Sequence, residues 1–506
     1  MIAGGVMSQC LLGIDAGNTM IKAVLFDLQG SVLSVAECAG ETLRPQEGFA
    51  ERPIEDIYHG VTQAVRDCLA QVSQQNLQVI AVGAAGHGNG LYALNKQRQP
   101  LLGIQSIDHR AASLVHQLEL SGRDSAIYLR SLQKPWPAAT PVLISWLKHQ
   151  QPEVYRHIGH LLLAKDVIAF FLSGEISADF SDAAGAGLLY YQSRSYDRSL
   201  IALYDIEDAL PLLPPLHESS DVVGHITAQA SALTGLPEGI PVVAGIFDVV
   251  ASAVGSGVVH CGEASIVAGT WSINQVVVDK PEYLRPVFMN SMIERYRYMA
   301  IEASATSAAN LDWFLREFDD GRAGQGAVRS SDIVASVTPN NQLPLYHPYL
   351  YSGRKAGPAK AGFYGLGGWH TRADMLYALF EGVTFAHRAH IDRLRAAGVP
   401  FTQATLSGGA ARSCVWPQMF ADVLGIPIRV TECKETGALG AAICAGVGIG
   451  VWPNLSAGVA QAVNVTAQPF MPNSEMFAFH EPRYRLFKRI ETVMAELWQA
   501  NEEIDA

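Results

Sequence analysis

The chain has few cysteines, and none are spaced for metal binding or a structural disulfide framework. Its seven cysteines, at positions 10, 38, 68, 261, 414, 433 and 444, form no Cys-x-x-Cys pair and no zinc-like spacing with histidine. We therefore expect reduced, mostly buried thiols in a reducing compartment, and hence a cytoplasmic protein.

The chain also has fewer basic residues than acidic ones. The 36 lysines and arginines stand against 48 aspartates and glutamates, which gives a net charge of −12. Nucleic-acid binding relies on clustered Lys and Arg, so this balance argues against a nucleic-acid partner. A small anionic substrate could still be held locally.

No hydrophobic run is long enough to span a membrane. The most apolar stretch, Gly437 to Trp452, has no charged residue but contains five glycines, and it falls short of about 18 sustained apolar residues. We expect a buried glycine-rich helix that packs close to a neighbour, and no membrane partner. The segment Met1 to Met7 lacks a basic region and a long apolar core, so we expect no secretory leader.

What the chain does have is enough apolar sequence for two cores. It contains 506 residues, of which 49% are hydrophobic, and a chain of this length usually divides into two domains. Glycines at 255, 257 and 262 interrupt the apolar pattern. We therefore predict domains at 8–257 and 258–450, followed by a helical extension at 451–506.

An apolar strand runs directly into a turn of the form Asp-x-Gly-x-Thr, at Asp15, Gly17 and Thr19, and a second strand starts near Ile21. Gly17 permits a tight turn and the close approach of a ligand, and Thr19 offers a hydroxyl and an amide to phosphate oxygens. Asp15 can hold a hydrated divalent metal. An ordinary hairpin turn has the same pattern, so this motif alone leaves both interpretations open.

A second turn of this kind, Gly269-Thr270, lies between two apolar stretches in the other half of the chain. The surrounding patterns match: strands at 10–15, 21–27 and 31–37, a helix from Pro53 to about Gln75 and a strand at 79–83 are followed later by strands at 264–268, 273–278 and 296–302 and a helix from near Ser307. The sequence thus predicts an internally duplicated α/β protein with a cleft in which a nucleotide is clamped.

A carboxylate, Asp248, follows an apolar strand that begins near Val242, beside the predicted domain boundary. Such a partly desolvated carboxylate is a candidate catalytic base. It could also cap a helix that begins at Val249, or do both. Farther along, apolar spacing predicts a helix over 372–397, with a capping box from Thr371 and Asp374.

Together these residues resemble the FGGY family of carbohydrate kinases, relatives in fold of actin and hexokinase. The chain from Ala361 to Leu366, followed by Asp374 and by Ala378 to Glu381, is similar to the family's C-terminal signature, with Leu379 a departure. The N-terminal signature is matched less well, because Leu143 stands where the family usually has Lys. The resemblance implies an α/β fold of two ribonuclease H-like (actin/hexokinase-type ATPase) domains with an interdomain cleft. The first domain would bind the sugar and the second the nucleotide.

The resemblance also implies roles for individual residues. Phosphoryl transfer from ATP with Mg²⁺ to a sugar hydroxyl would use Asp248 as the general base, with Asp15 and Asp248 at the metal. The implied nucleotide contacts are Gly17, Asn18, Thr19, Lys22, Gly269, Thr270, Gly408, Gly409, Ala410 and Ser413. The implied substrate contacts are His87, Gly88, Asn89, Asp108 and Asp248.

The sugar itself is harder to predict. His87 stands where Gln is common in the family and Asn89 where glycerol kinases have an acidic residue, which disfavours glycerol. The alternative for His87 is a solvated loop histidine. The residues around Asp248, Gly269 and Glu302 are most similar to the bacterial L-xylulokinase and keto-L-gulonate kinase branch, so we expect a ketopentose such as L-xylulose.

Other functions remain as alternatives. Within the family these are kinases for erythritol, D-xylulose, ribulose or the autoinducer-2 precursor. An actin- or chaperone-like nucleotide switch would lack the polar residues available here for a sugar pocket. An inactive sugar-binding regulator would be expected to lose Asp248 or the Gly-Thr turns. A homodimer is common in the family.

Overall fold

The computed structural model describes residues 7–318, 326–351 and 359–505. The strands of the N-terminal half are β1 (Ser8–Ala16), β2 (Met20–Asp27), β3 (Val32–Ala39), β4 (Leu77–Gly86), β5 (Leu91–Asn95), β6 (Pro100–Ile104), β7 (Ile158–Leu162), β8 (Ala178–Asp179), β9 (Leu189–Tyr190), β10 (Ser195–Tyr196), β11 (Leu216–His217), β12 (Val222–His225), β13 (Pro241–Val243) and β14 (Ile246–Phe247). Its helices are α1 (Ile54–Gln71), α2 (Ala112–Leu120), α3 (Arg123–Ser131), α4 (Thr140–Gln150), α5 (Pro152–His157), α6 (Ala164–Ser173), α7 (Phe180–Gly185), α8 (Arg198–Ile201), α9 (Ala228–Thr234) and α10 (Asp248–Val254).

The C-terminal half continues the numbering. Its strands are β15 (Ala264–Ala268), β16 (Ser272–Val278), β17 (Met289–Glu294), β18 (Arg297–Ser304), β19 (Leu345–His347), β20 (Gly362–Tyr364), β21 (Ala404–Ser407) and β22 (Ile428–Val430). Its helices are α11 (Ala309–Phe318), α12 (Gly326–Ala335), α13 (Arg372–Ala396), α14 (Trp416–Leu424), α15 (Thr436–Gly448), α16 (Leu455–Ala462) and α17 (Ser474–Asp505). Short 3₁₀ turns lie at Ala202–Tyr204, Glu207–Leu212 and Gly409–Arg412.

The main sheets of the two halves share a core of four strands in the same order, β3-β2-β1-β4 in the first and β18-β16-β15-β21 in the second. The first runs β12-β13-β4-β1-β2-β3, with β14 also paired to β4, and the second runs β17-β18-β16-β15-β21-β22. In each, an antiparallel hairpin (β1–β2 or β15–β16) is flanked on one side by a further antiparallel strand and on the other by a parallel strand. The predicted duplication of an α/β unit is therefore confirmed.

Local sequence explains the long helix of the second half. α13 begins after Thr371, whose hydroxyl accepts the Asp374 amide at 3.4 Å while the Asp374 carboxylate accepts the Thr371 amide at 2.7 Å. This is the predicted capping box. The helix ends at Ala396, shortly before Gly398, which has a left-handed φ of +82°. Most of its residues are buried, so α13 forms the centre of the second core.

The glycine-rich helix α15 packs directly on the N-terminal sheet. A Cβ at Gly13 of β1 would lie 2.0 Å from the Ala438 carbonyl oxygen, and one at Gly83 of β4 would lie 2.1 Å from that of Ala441. Only glycine permits this approach of helix to strand. The expectation of a buried, closely packed helix is confirmed. In the part of the chain that the structure describes, no helix is both long and apolar enough to cross a bilayer.

The last helix, α17, is attached to the C-terminal half through a buried carboxylate. Glu381 of α13 accepts hydrogen bonds from Arg483, at 2.8 and 2.6 Å, and from His480, at 2.9 Å. Although burial opposes it, these partners hold the pKa of Glu381 below its ordinary value. Charge pairing of this kind fixes where α17 lies on α13.

Candidate active site

Three parallel strands of the N-terminal sheet end at one edge. The last residue of β4, Gly86, lies opposite the last residues of both β1 and β14. Asp15 is the penultimate residue of β1, and His87 and Asp248 immediately follow β4 and β14. Ligands of open α/β sheets bind where the carboxyl ends of such strands meet. The fold therefore brings together three residues that the sequence singled out, from positions more than 230 apart in the chain.

The two aspartates at this edge repel each other. Burial, together with the charge of Asp15, raises the pKa of Asp248 to about 8. Burial likewise raises the pKa of Asp15 to about 6; the positive charge of Lys22 opposes this shift and Glu435 adds to it. Lys22 is itself paired, with its Nζ 3.0 Å from Glu435 Oε2. Two neighbouring carboxylates with raised pKa values favour a bound cation.

The residues at this edge fit Mg²⁺. Asp15 and Asp248 supply hard oxygen ligands, and Mg²⁺ usually takes one or two carboxylates while keeping waters and substrate phosphates. Gly437 leaves room beside them, because a Cβ there would lie 2.4 Å from Asp15 Oδ2. Among the described residues, no group of three or more His, Cys, Asp or Glu side chains forms a closed metal cage.

The helix-cap alternative for Asp248 does not match the geometry. α10 begins at Asp248 itself, and Phe247 occupies the N-cap position without a side-chain cap hydrogen bond. The Val249 amide lowers the pKa of Asp248 but does not offset burial. Asp248 is half-buried, which leaves its carboxylate open to a ligand at the start of the helix.

The first phosphate turn connects β1 to β2. Its backbone is closed by a hydrogen bond from the Gly17 amide to the Met20 carbonyl, at 2.9 Å. Thr19 is exposed, so its hydroxyl and amide are free to meet a phosphate. The Asn18 side chain instead donates to Ser106 Oγ at 3.0 Å, which leaves its backbone as the group available to a nucleotide.

The second phosphate turn has the same construction. It joins β15 to β16, in which Ala268 pairs with Ser272, and it presents Gly269 and an exposed Thr270. Gly408 lies against it with a left-handed φ of +83°, and a Cβ there would lie 2.8 Å from the Ala268 carbonyl. The Gly408 turn and the phosphate turn therefore form one continuous backbone surface.

The remaining predicted nucleotide contacts follow Gly408. Gly409 begins a 3₁₀ turn, and Ala410 is fully buried. Ser413 Oγ accepts the Val415 and Trp416 amides, at 3.2 and 3.1 Å. Its hydroxyl thus starts α14, so its part in nucleotide binding stays a prediction.

His87 is buried, and the solvated-loop alternative is wrong. Its side chain is 4% exposed, with Nε2 2.9 Å from the Tyr92 hydroxyl. Burial, followed by the charge of Arg52, lowers the pKa of His87 to about 4. The ring is therefore neutral near pH 7, and its buried Nδ1 has no hydrogen-bond partner among the residues that the structure describes.

The other sugar-loop residues pack against α7 and Phe247. Asn89 has a left-handed φ of +61°. Its Nδ2 donates a hydrogen bond to the Gly185 carbonyl at 3.4 Å, while its Oδ1 has no hydrogen-bond partner among the described residues. A Cβ at Gly88 would lie 2.3 Å from the Phe247 ring. His87 and Asn89 thus each hold one buried polar atom that a sugar hydroxyl could satisfy.

Asp108 has a different environment. Its Oδ2 accepts the Ala50 amide at 2.7 Å, and both of its oxygens pair with Arg110 Nε at 3.0 Å. Arg110 also reaches Glu51 at 2.7 Å. This fully buried ion pair orders the loop beside the site, and its partners leave little of the Asp108 carboxylate for a sugar. A substrate contact from Asp108 stays a prediction.

Sequence reasoning missed a buried charged cluster on α6 and α7. Lys165 Nζ lies 2.5 Å from Asp166 Oδ1 and 2.9 Å from Asp179 Oδ1, and all three side chains are at most 1% exposed. Asp182 is also fully buried, and within the described part of the chain both of its carboxylate oxygens lack a hydrogen-bond partner. Burial raises the pKa of Asp182 well above its ordinary value. Charged residues at 165 and 166, at the start of an otherwise apolar helix, are the signal that could have revealed it.

A second polar network, under the second phosphate turn, was also missed. His387 of α13 lies 3.1 Å from Ser272 Oγ and 2.9 Å from Asn274 Oδ1 through Nδ1, and 2.8 Å from Ser307 Oγ through Nε2. Burial lowers the pKa of His387 to about 3. α13 thus supports the strand that leaves the turn in addition to forming the core.

Comparison with known proteins agrees with this geometry. The model of the N-terminal domain of the FGGY family of carbohydrate kinases matches residues 10–255, and the model of the C-terminal domain of that family matches residues 264–449.

Individual relatives match over nearly the whole chain. A probable L-xylulose kinase of Pasteurella multocida is 33% identical over 96% of this chain and 98% of its own length. An L-xylulose/3-keto-L-gulonate kinase of Escherichia coli is 31% identical over 96% of this chain and 97% of its own. The crystal structure of xylulose kinase from Rhodospirillum rubrum superposes with a TM-score of 0.85 at 24% identity, covering 97% of this chain and 99% of that one.

The duplicated sheets, the paired phosphate turns and the aspartates at the strand ends thus occur in a chain that both family models match. Such a kinase acts on a small-molecule sugar, and the chain belongs to the FGGY family of carbohydrate kinases.

Proposed function

We propose that this chain transfers the γ-phosphoryl group of ATP to a hydroxyl of an uncharged ketopentose such as L-xylulose, with Asp248 as the general base. The observation that carries the proposal is the pair of strand-end carboxylates, Asp15 and Asp248, which lie at one sheet edge, where the charge of Asp15 helps to raise the pKa of Asp248. Phosphoryl transfer requires a carboxylate at the metal and a base at the acceptor hydroxyl. In this proposal both aspartates lie at the metal, and Asp248 also faces the hydroxyl.

In the proposed reaction, Asp248 takes the proton of the sugar hydroxyl as that oxygen bonds to the γ-phosphorus. The bond between the γ-phosphorus and the bridging oxygen breaks, and ADP leaves with its electron pair. Asp15 and Asp248 would hold Mg²⁺, which supplies charge neutralisation for the phosphates when bound. The amides of the turns at Gly17 and Gly269 orient the phosphate oxygens, so positioning provides most of the acceleration.

The sugar loop supports a polyhydroxylated acceptor. His87 Nδ1 and Asn89 Oδ1 are buried without hydrogen-bond partners in the described ranges, and a buried unpaired polar atom costs about 1–3 kcal/mol. Hydroxyl groups of a bound sugar would satisfy both. Because His87 is neutral near pH 7, it can exchange hydrogen bonds with a hydroxyl without attracting an anion.

Charge near this loop favours a neutral sugar over a sugar acid. The buried cations there are already paired: Lys165 with two aspartates, Arg110 with Asp108 and Arg52 with Asp56. Asp182 adds a buried carboxyl group whose oxygens accept no hydrogen bond from the described residues. The carboxylate of a sugar acid would enter a region with a surplus of acidic groups and would be repelled.

The test is a panel of ketoses and polyols in an assay that couples ADP formation to NADH oxidation. We expect the highest kcat/KM for L-xylulose, and a value at least about 10-fold lower for 3-keto-L-gulonate, which corresponds to about 1.4 kcal/mol. Equal kcat/KM values for L-xylulose and 3-keto-L-gulonate would contradict the argument from charge. Turnover of polyols alone would contradict a ketopentose as the substrate. The homodimer stays a prediction.

A further inference from the structure

The residue before Asp248 is held by a chain of buried hydrogen bonds that the reaction scheme does not use. The chain starts at the ion pair between Lys165 Nζ and Asp179 Oδ1, at 2.9 Å. Asp179 Oδ2 accepts hydrogen bonds from two hydroxyls, Ser181 Oγ at 2.5 Å and Ser219 Oγ at 2.7 Å. All of these side chains are buried.

Ser181 connects this ion pair to the strand that ends at the candidate base. Its Oγ accepts the backbone N–H of Phe247 at 2.9 Å. The Phe247 ring is fixed as well, because it lies where side chains at Gly88 and Gly185 would otherwise be, 2.3 and 2.8 Å from their Cβ positions. With its amide and its ring both held, Phe247 determines where the next residue, Asp248, begins α10.

The same serine also contacts the other half of the molecule. The Ser181 carbonyl accepts a hydrogen bond from Ser291 Oγ of β17, at 2.7 Å. Beside it, Gln133 of the N-terminal half donates to the carbonyls of both Ala184 and Asn290. β17 is a strand that the sequence analysis did not predict. It is held against α7 by the hydrogen bond from Ser291 and by Gln133, which bonds to both elements.

We propose that Ser181 is a positioning residue for Asp248, and that its hydrogen bond to Ser291 makes this positioning depend on contact between the two halves. The inference rests on the proposed role of Asp248 as base. Loss of the Ser181 hydroxyl leaves the buried Phe247 amide unpaired, so the strand end shifts to find another partner. A displacement of about 1 Å at a reacting group can cost about 10²-fold in rate.

The experiment compares three serine variants of the full-length chain. Ser181→Ala removes the bond to Phe247, Ser291→Ala removes the bond between the halves, and Ser219→Ala is the matched control, because it removes a similar hydroxyl from Asp179 without touching Phe247 or β17. Each is assayed for kcat and KM with the best sugar, for MgADP affinity by calorimetry and for melting temperature.

We expect Ser181→Ala to lower kcat at least about 10-fold while the sugar KM and MgADP affinity stay within about 2-fold, since positioning acts on the chemical step. Ser291→Ala should lower kcat about 3-fold or more, and Ser219→Ala should keep kcat within about 2-fold of wild type. Ser181→Thr, which keeps the hydroxyl, should recover most of the loss. If Ser181→Ala does not fold, the kcat values of Ser181→Thr and Ser291→Ala test the proposal instead.

Two results would overturn the proposal. One is a wild-type kcat in Ser181→Ala or, if that variant does not fold, in Ser291→Ala. The other is an equal loss of kcat in Ser219→Ala, which would mean that the network only supports the fold. Failure of the proposed function looks different: Asp248→Asn would then keep its turnover, and no base would remain for Ser181 to position.

Discussion

Asp15 and Asp248 lie at the ends of two strands that flank β4, and the charge of Asp15 helps to raise the pKa of Asp248 to about 8. The relationship is unfavourable in the free protein, because ionisation of Asp15 opposes ionisation of Asp248 at the same sheet edge. It becomes favourable when a metal–nucleotide complex arrives. The two carboxylates thus favour binding of the metal–nucleotide complex, which is the charged ligand that the kinase needs.

The first prediction concerns Asp248 itself. Asp248→Asn keeps the shape of the side chain and removes the proton acceptor, so turnover should fall by roughly 10²-fold or more. The loss should appear in kcat, measured with the best sugar of the panel. Affinity for ADP without metal, measured by calorimetry on the same preparation, should survive and serves as the control for folding. Near-normal turnover would remove Asp248 as the base and would require other carboxylates, Asp108 first, to be tested.

The second prediction concerns Asp15 and the metal. MgADP should raise the melting temperature of the wild-type chain, because a ligand that binds only the folded state stabilises it by mass action. Asp15→Asn should lose most of the increment that Mg²⁺ adds to ADP alone, while the effect of ADP without metal should remain. Differential scanning fluorimetry with ADP, with Mg²⁺ and with both separates these contributions. An equal Mg²⁺ increment in both proteins would show that Asp15 does not hold the metal.

The phosphate turns could be predicted because their chemistry is local. Asp15, Gly17 and Thr19 lie within five residues, and the hairpin that joins β1 to β2 is readable from alternation and turn residues. The same holds for the capping box at Thr371 and Asp374. In each case the residues that act together are neighbours in sequence, so one sequence is enough.

The rest of the site depends on contacts between distant positions. Lys165 meets Asp179 only after α6 and α7 have folded onto the sheet, and Ser181 meets Ser291 across 110 residues. β17 was missed because Asn290 and Ser291 interrupt its apolar pattern; both are buried against the other half rather than exposed. Polar residues that face a second domain cannot be distinguished by periodicity from polar residues that face water.

The third prediction tests the sugar loop. His87→Ala and Asn89→Ala should each raise the KM of the best sugar by roughly 10-fold, because each removes a polar group that a bound hydroxyl would otherwise satisfy. KM for ATP should change little. Steady-state kinetics with both substrates varied measures this. Unchanged sugar kinetics across the whole panel would mean that His87 and Asn89 only hold Tyr92 and Gly185 in place.

The fourth prediction separates two roles of glycine at the second phosphate turn. A Cβ at Gly269 meets no atom within 4 Å, so Gly269→Ala should leave the melting temperature of the free protein nearly unchanged. It should nevertheless weaken MgADP binding by about 10-fold, because the methyl group would occupy space that a phosphate approaches. Gly408→Ala, at a φ of +83° and 2.8 Å from backbone, should instead lower stability by about 1–3 kcal/mol.

The control for this pair is Gly368→Ala, at an exposed glycine whose Cβ also meets no atom within 4 Å. Both MgADP affinity and stability should match the wild type there. Equal MgADP affinity in Gly269→Ala and Gly368→Ala would contradict a phosphate contact at the second turn.

The fifth prediction is a pH dependence of stability that arises from His387. In the folded protein burial lowers its pKa from 6.5 to about 3, so below pH 6.5 the unfolded chain binds one proton more at this residue. The stabilisation from the neutral ring is complete above the unfolded pKa and is lost as the pH falls toward the folded pKa, with a slope of about 1.4 kcal/mol per pH unit. His387→Gln removes this contribution, so its free energy of unfolding should fall less steeply between pH 6 and pH 4.5 by that amount.

Urea unfolding at a series of pH values measures the two slopes, and titrations common to both proteins cancel in the difference. Ser307→Ala is the matched control, since it removes a hydroxyl partner of the same ring but keeps the histidine and its burial. It should lower stability by a similar amount at every pH, about 1 kcal/mol for one buried hydrogen bond, and keep the wild-type slope. Identical slopes in wild type and His387→Gln would contradict a buried neutral His387, and the polar network beneath the second phosphate turn would then need a charged ring at its centre.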